Sequence, residues 1–103
     1  MSDAQERIRE MVTTNRLMLF MKGTPEAPMC GFSMRAIQVL GLLGETFETC
    51  NVLADAEIRQ GIKAYGNWPT IPQLYIDGQL VGGSDILVEM YQSGELQRIV
   101  SGE

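Results

Sequence analysis

The sequence predicts an α/β fold, with a four-stranded mixed sheet and helices on both of its faces. Three observations predict it. Leu17-Met18-Leu19-Phe20-Met21 is apolar at every position, as a strand buried on both faces must be. Helical and strand-like stretches alternate through the first half of the chain, the pattern of a β-α-β unit. Leu74-Tyr75-Ile76, Asp77-Gly78 and Leu80-Val81 then read as a β-hairpin closed by a two-residue turn. With 103 residues, the chain has the size of one domain, expected to span 1–103.

The elements follow in order. Ser2 with Gln5 three residues on has the spacing of a capping box, and Ile8, Met11 and Val12 share one helical face, so residues 3–14 are expected to be an amphipathic helix. The central strand Leu17–Met21 comes next. The Gly and Pro content of residues 22–28 predicts a loop. A second helix is expected from Ser33 to Leu43, with Ile37, Leu40 and Leu43 inward and Gly44 as its stop. Residues 46–52 are β-branched and aromatic enough for a strand. Asp55 is placed to cap a third helix with Ile58, Ile62 and Tyr65 inward. Two prolines make residues 67–72 a loop before the hairpin. Gly82-Gly83 ends the hairpin, Ser84 or Asp85 caps a helix through Tyr91, and a short helix over 96–100 follows the break at Gly94. A β-α-β unit followed by a hairpin and a helix is the plan of the thioredoxin-like fold, with a right-handed crossover between its parallel strands.

Composition removes several classes of chemistry. The chain has no histidine, so there is no His general base and no His-ligated metal. Its only cysteines, Cys30 and Cys50, cannot fill a four-thiolate metal shell. Any Cys-ligated centre must borrow ligands from a second chain or a small molecule. Eight Lys and Arg against 13 Asp and Glu leave a net charge of −5, which argues against nucleic acid as a partner. The polar, acidic N-terminus does not read as a signal peptide, and no apolar run is long enough to span a bilayer. The expected location is the cytoplasm, and no membrane partner is expected.

The chemistry is expected at Cys30-Gly31-Phe32-Ser33, between a strand-exit loop and a helix start. A thiol there meets free backbone N–H groups and the positive end of the helix dipole, both of which favour thiolate. Lys22, at the end of the preceding strand, adds a positive charge. Ser33 takes the second position of a C-x-x-C spacing, so Cys30 has no local disulfide partner. Cys50, on a predicted strand with Val52 on its side, reads as a core residue. Taken singly, Pro72, Arg59 and Gly82-Gly83-Ser84-Asp85 read as loop, solvated charge, and strand stop with N-cap.

Their joint order carries more. Lys22-Gly23-Thr24, Cys30-Gly31-Phe32-Ser33, Trp68-Pro69-Thr70-Ile71-Pro72-Gln73 and Gly82-Gly83-Ser84-Asp85 together resemble the monothiol glutaredoxins of the CGFS class, in their short, single-domain form. The resemblance covers the chain from Ile8 to about Leu96. It implies a thioredoxin-like fold with a glutathione groove. By position, Cys30 is similar to the thiolate that ligates iron. Lys22 and Arg59 look like the cations that meet glutathione carboxylates. Ile71 resembles the residue before a cis-proline, whose backbone pairs with the cysteinyl unit of glutathione. Ser84 and Asp85 look like the pair that receives the γ-glutamyl end.

The same resemblance implies a 2Fe–2S cluster bridging a homodimer, with one Cys from each subunit and one thiolate from each of two glutathiones. Iron–sulfur acceptor proteins and a BolA-type protein are the implied partners. Many relatives carry Cys at the position of Ser84, and that second thiol is missing here. The function implied is cluster binding and transfer. The alternative is a monothiol, glutathione-dependent oxidoreductase that uses Cys30 as nucleophile; whether the chain is an enzyme is left open.

Overall fold

The computed structural model describes residues 3–102. Its elements are α1 (Asp3–Thr14), β1 (Leu17–Met21), β2 (Gly23–Thr24), β3 (Ala27–Pro28), α2 (Gly31–Leu43), β4 (Glu48–Asn51), α3 (Ala56–Gly66), β5 (Gln73–Ile76), β6 (Gln79–Gly82), α4 (Ser84–Ser93) and α5 (Glu95–Ser101). A short 3₁₀ turn, Val52–Ala54, links β4 to α3. Ser2, half of the expected capping box, lies outside the described residues.

The main sheet has the order β4-β1-β5-β6. β1 pairs parallel with β4 and antiparallel with β5, and β5 pairs antiparallel with β6. The period-2 geometry of a strand sorts β1 between two cores. Leu17, Leu19 and Met21 face α2, α4 and α5, beside Leu74 and Ile76 of β5. Met18 and Phe20 face α1 and α3, beside Tyr75. All five β1 side chains are buried, which is why no polar residue interrupts the run.

Five sequence expectations need correction. The strand expected over 46–52 is shorter, because Val52 turns into the 3₁₀ segment, where it is still fully buried. α2 begins at Gly31 instead of Ser33, since the extended Cys30 serves as its N-cap. The buried face of α2 is Ser33, Ala36, Val39 and Leu40, with Ile37 and Leu43 only partly covered. Neither Ser84 nor Asp85 caps α4: Gly83 holds the extended N-cap position and no side chain closes the end. The 22–28 loop carries a small ladder of its own, β2 with β3. Asp55 does cap α3, accepting from the N–H groups of Glu57 and Ile58 at 3.1 and 3.2 Å. Its carboxylate also meets Arg7 of α1 at 2.6 Å, and that hydrogen bond pulls the Asp55 carboxyl below its usual range.

Candidate functional site

Cys30 is half-buried, at the end of the β3–α2 connection. Its Sγ accepts from the Ser33 N–H at 3.3 Å and lies 3.3 Å from the Ser33 hydroxyl. That hydroxyl is buried and oriented: the Lys22 N–H donates to its oxygen at 3.0 Å, which leaves the O–H proton free to turn toward a thiolate. Lys22 is held in its turn, because its carbonyl accepts from the Met29 N–H at 2.9 Å. The next residue, Gly23, donates its N–H to the Asn51 side chain at 2.9 Å. Gly23 has φ +92°, and a Cβ there would sit 2.5 Å from the Ala27 carbonyl oxygen, so this corner requires glycine.

Partial burial pushes the Cys30 thiol up. The Ser33 hydroxyl, the N–H groups of Ser33 and Phe32, and the Lys22 charge outweigh it, and the thiol ends below its ordinary value. Cys50 goes the other way. Burial, and then the Asp55 carboxylate, push its thiol up. It packs on the core between β1, α1 and α3, as expected for a structural cysteine. Alkylation by iodoacetamide should therefore separate the two thiols. Reactivity rises with pH as thiolate forms, and the Cys30 midpoint should fall below that of a free thiol while Cys50 stays slow. Ser33→Ala should move the Cys30 midpoint upward, as mass-resolved alkylation against pH will show. An unmoved midpoint would mean that the hydroxyl does not stabilise the thiolate.

Beside Cys30 runs a groove of about 550 Å³, within the usual range for small-ligand sites. One wall is the N-terminal end of α4, with Gly83, Ser84, Asp85 and Ile86. A second is the 68–72 loop, and a third is α3 with Arg59 and Lys63. Lys22 and Phe32, both of which act on the Cys30 thiol, complete the lining, of which Cys30 itself is not part. The groove thus brings together Lys22, Arg59, Ile71, Ser84 and Asp85, which lie far apart in sequence. The Ile71–Pro72 peptide is cis, and Ile71 takes part in none of the turn and loop backbone hydrogen bonds among the described residues.

The electrostatics of the groove are uneven. Three cations, Lys22, Arg59 and Lys63, line it with one carboxylate, Asp85. Asp85 is exposed and pairs loosely with Arg35 across the α2–α4 seam at 3.5 Å, a surface contact a ligand ammonium can displace. The uncapped first turn of α4 adds unpaired N–H groups and the positive end of a helix dipole. The arrangement suits an extended molecule with two carboxylates and one ammonium. Lys63 was missed in the sequence. Its signal was the four-residue spacing from Arg59, which puts both on one helical face.

Residues 17–81 match the glutaredoxin family model. The chain belongs to the glutaredoxin family. It is 59% identical over 98 residues to a monothiol glutaredoxin of Synechocystis, covering 95% of this chain and 92% of the relative. It is 48% identical over 100 residues to glutaredoxin 4 of Escherichia coli K12, covering 97% and 87% of the two chains. Among solved structures, the reduced apo form of poplar GrxS14 superposes with a TM-score of 0.83 at 49% identity, covering 95% of this chain and 90% of that one. The thioredoxin-like fold of glutaredoxins and the monothiol character read at Ser33 stand on these matches.

Proposed function

We propose that this glutaredoxin binds a 2Fe–2S cluster together with glutathione, as a homodimer, and passes the cluster to acceptor proteins. The observation that carries the reading is a thiol favoured as thiolate whose C-x-x-C partner is a hydroxyl, set beside a groove rich in cations. A lone thiolate per chain leaves three positions of a four-thiolate shell to be filled from outside. A second copy supplies one, and a glutathione in each groove supplies the other two. In each groove, Lys22 and Arg59, with Lys63 beside them, meet the glycyl carboxylate. The Ile71 backbone pairs with the cysteinyl unit. Ser84 and the α4 N-terminus take the γ-glutamyl carboxylate, and Asp85 takes the ammonium. Cluster acceptors and a BolA-type protein in a reducing cytoplasm complete the proposal. The test is anaerobic reconstitution with iron and sulfide, with and without glutathione. Thiolate-to-iron absorption that develops only with glutathione supports the reading; equal absorption without any added thiol contradicts it.

The lowered Cys30 thiol also favours a second reading, as a glutathione-dependent oxidoreductase. Cys30 thiolate would attack the glutathione sulfur of a mixed disulfide and release the protein thiolate. A second glutathione would then resolve the Cys30 adduct, leaving oxidised glutathione. Ser33→Cys probes the balance between the two readings. The position is buried and 3.3 Å from Sγ, so an introduced thiol is within reach of a bridge. Disulfide exchange should rise in this variant, and the cluster should be lost faster on air exposure, because a ligand must be a free thiolate. Absence of a Cys30–position 33 bridge by mass spectrometry after mild oxidation would contradict the assigned turn.

A further inference from the structure

The loop that forms one groove wall cannot satisfy its own backbone. Pro69 and Pro72 carry no N–H, so residues 67–72 are two donors short. The N–H groups of Asn67 and Trp68 are spent on the carbonyls of Ala64 and Lys63, at the end of α3. The carbonyls of Trp68 and Thr70 are met by one side chain from the neighbouring strand. Gln73 Nε2 donates to Trp68 O at 3.0 Å and to Thr70 O at 3.2 Å. Gln73 is fully buried, in a strand whose other residues are Leu74, Tyr75 and Ile76.

The other end of the amide is occupied as well. Gln73 Oε1 accepts from the Tyr75 hydroxyl at 2.9 Å. Burial pushes that hydroxyl up to about 12, so it remains a donor throughout the physiological range. The last turn of α3 closes on the same spot. A Cβ on Gly66 would lie 2.3 Å from the Tyr75 hydroxyl oxygen and 3.0 Å from Gln73 Oε1. Loop, strand and helix therefore meet at a single buried amide. The helix carries Arg59 and Lys63, and the loop carries Thr70 and Ile71; all four line the groove.

From this junction we infer that Gln73 is a positioning residue for glutathione: it fixes the peptide-pairing edge of the loop relative to the cations of α3. The inference rests on the glutathione reading of the groove. A purely apolar strand residue would serve the core as well, since a buried hydrogen-bonded pair can be exchanged for apolar groups of similar shape at little cost when both partners are replaced. Here the partners are groove-wall carbonyls that cannot be exchanged, and they would lose the side chain that ties them to the strand.

The test compares Gln73→Met, Gln73→Glu and a destabilised control, Val100→Ala. Val100 is a buried residue of α5, packed in the core among residues that do not line the groove. Glutathione affinity is measured by calorimetry on the apo protein, with thermal midpoints alongside. Trp68 is the only tryptophan, so acrylamide quenching of its emission reports the loop directly. Affinity is expected to fall about tenfold in Gln73→Met, with quenching increased, while Val100→Ala loses thermal stability and keeps its affinity. Gln73→Glu is near-isosteric and guards against a Met variant that does not fold. Ionised, its carboxyl has no donor for the two carbonyls, and protonated it has one O–H where the amide donates to both, so it should lose affinity as well. Affinity within twofold of the parent in a folded Gln73 variant overturns the inference. So does a loss that tracks the thermal midpoint equally in Val100→Ala. A parent that binds no glutathione removes the groove reading itself, and the positioning role with it.

Discussion

Cys30→Ser is expected to reduce reconstituted cluster to background, while Cys50→Ser keeps it nearly intact. Among the described residues, Cys30 is the thiol that the surroundings push toward thiolate, through the Ser33 hydroxyl, two backbone N–H groups and Lys22. A serine at position 30 keeps the N-cap but is a far poorer ligand for iron, because the metal requires the ionised group. Cys50, on β4, is shifted the other way by burial and packs on the core beneath α1 and α3. Its replacement costs stability instead, on the order of 1–3 kcal/mol if the new hydroxyl finds no partner. Iron content and visible absorbance per chain read the first effect, and chemical denaturation reads the second. Equal loss of iron in both variants would contradict the assignment of Cys30.

Charge reversal on the cation side of the groove should be nearly as damaging. Lys22→Glu and Arg59→Glu each replace an attraction for a ligand carboxylate with a repulsion, so glutathione affinity should fall by about ten- to a hundredfold. Lys22→Glu carries a second effect. It removes the positive charge beside Cys30 and should raise the thiol as well, so its alkylation midpoint moves up along with the loss of affinity. Arg59→Glu should leave that midpoint where it is, because Arg59 is not among the groups that shift Cys30. Calorimetry and mass-resolved alkylation on the same two variants separate these effects. Affinity within twofold of the parent in both would mean that glutathione does not lie along this wall.

How much of this was legible in the sequence depended on which physical rule governed each element. β1 was legible to the residue, because a strand buried on both faces tolerates no polar position. α3 was legible from Asp55, whose short side chain can reach two backbone N–H groups. The start of α2 was not, because a cysteine cap is unusual and Gly31-Phe32 carries no helical periodicity. The start of α4 was misread for a related reason: Ser84 and Asp85 are typical capping residues, yet Gly83 holds the extended position and Ser84 is turned into a buried site.

The groove was legible in part. Cys30 and the absence of a partner thiol followed from motif and position. Arg59, Ile71, Ser84 and Asp85 entered through the family resemblance, since each alone has an ordinary structural explanation. Lys63 was overlooked because periodicity assigns a charged residue to the solvent side without saying what that side faces. Gln73 stood in the motif, but its role depends on two carbonyls and a tyrosine hydroxyl meeting in three dimensions.

On the proposed function, two chains and two glutathiones jointly complete one cluster, and native mass spectrometry of the anaerobically reconstituted protein reads that stoichiometry in one spectrum. The predicted species is a dimer carrying a single 2Fe–2S unit and two glutathiones, collapsing to monomers when the cluster is removed. A cluster retained on a single chain, or a dimer that keeps its cluster with no glutathione bound, would contradict it.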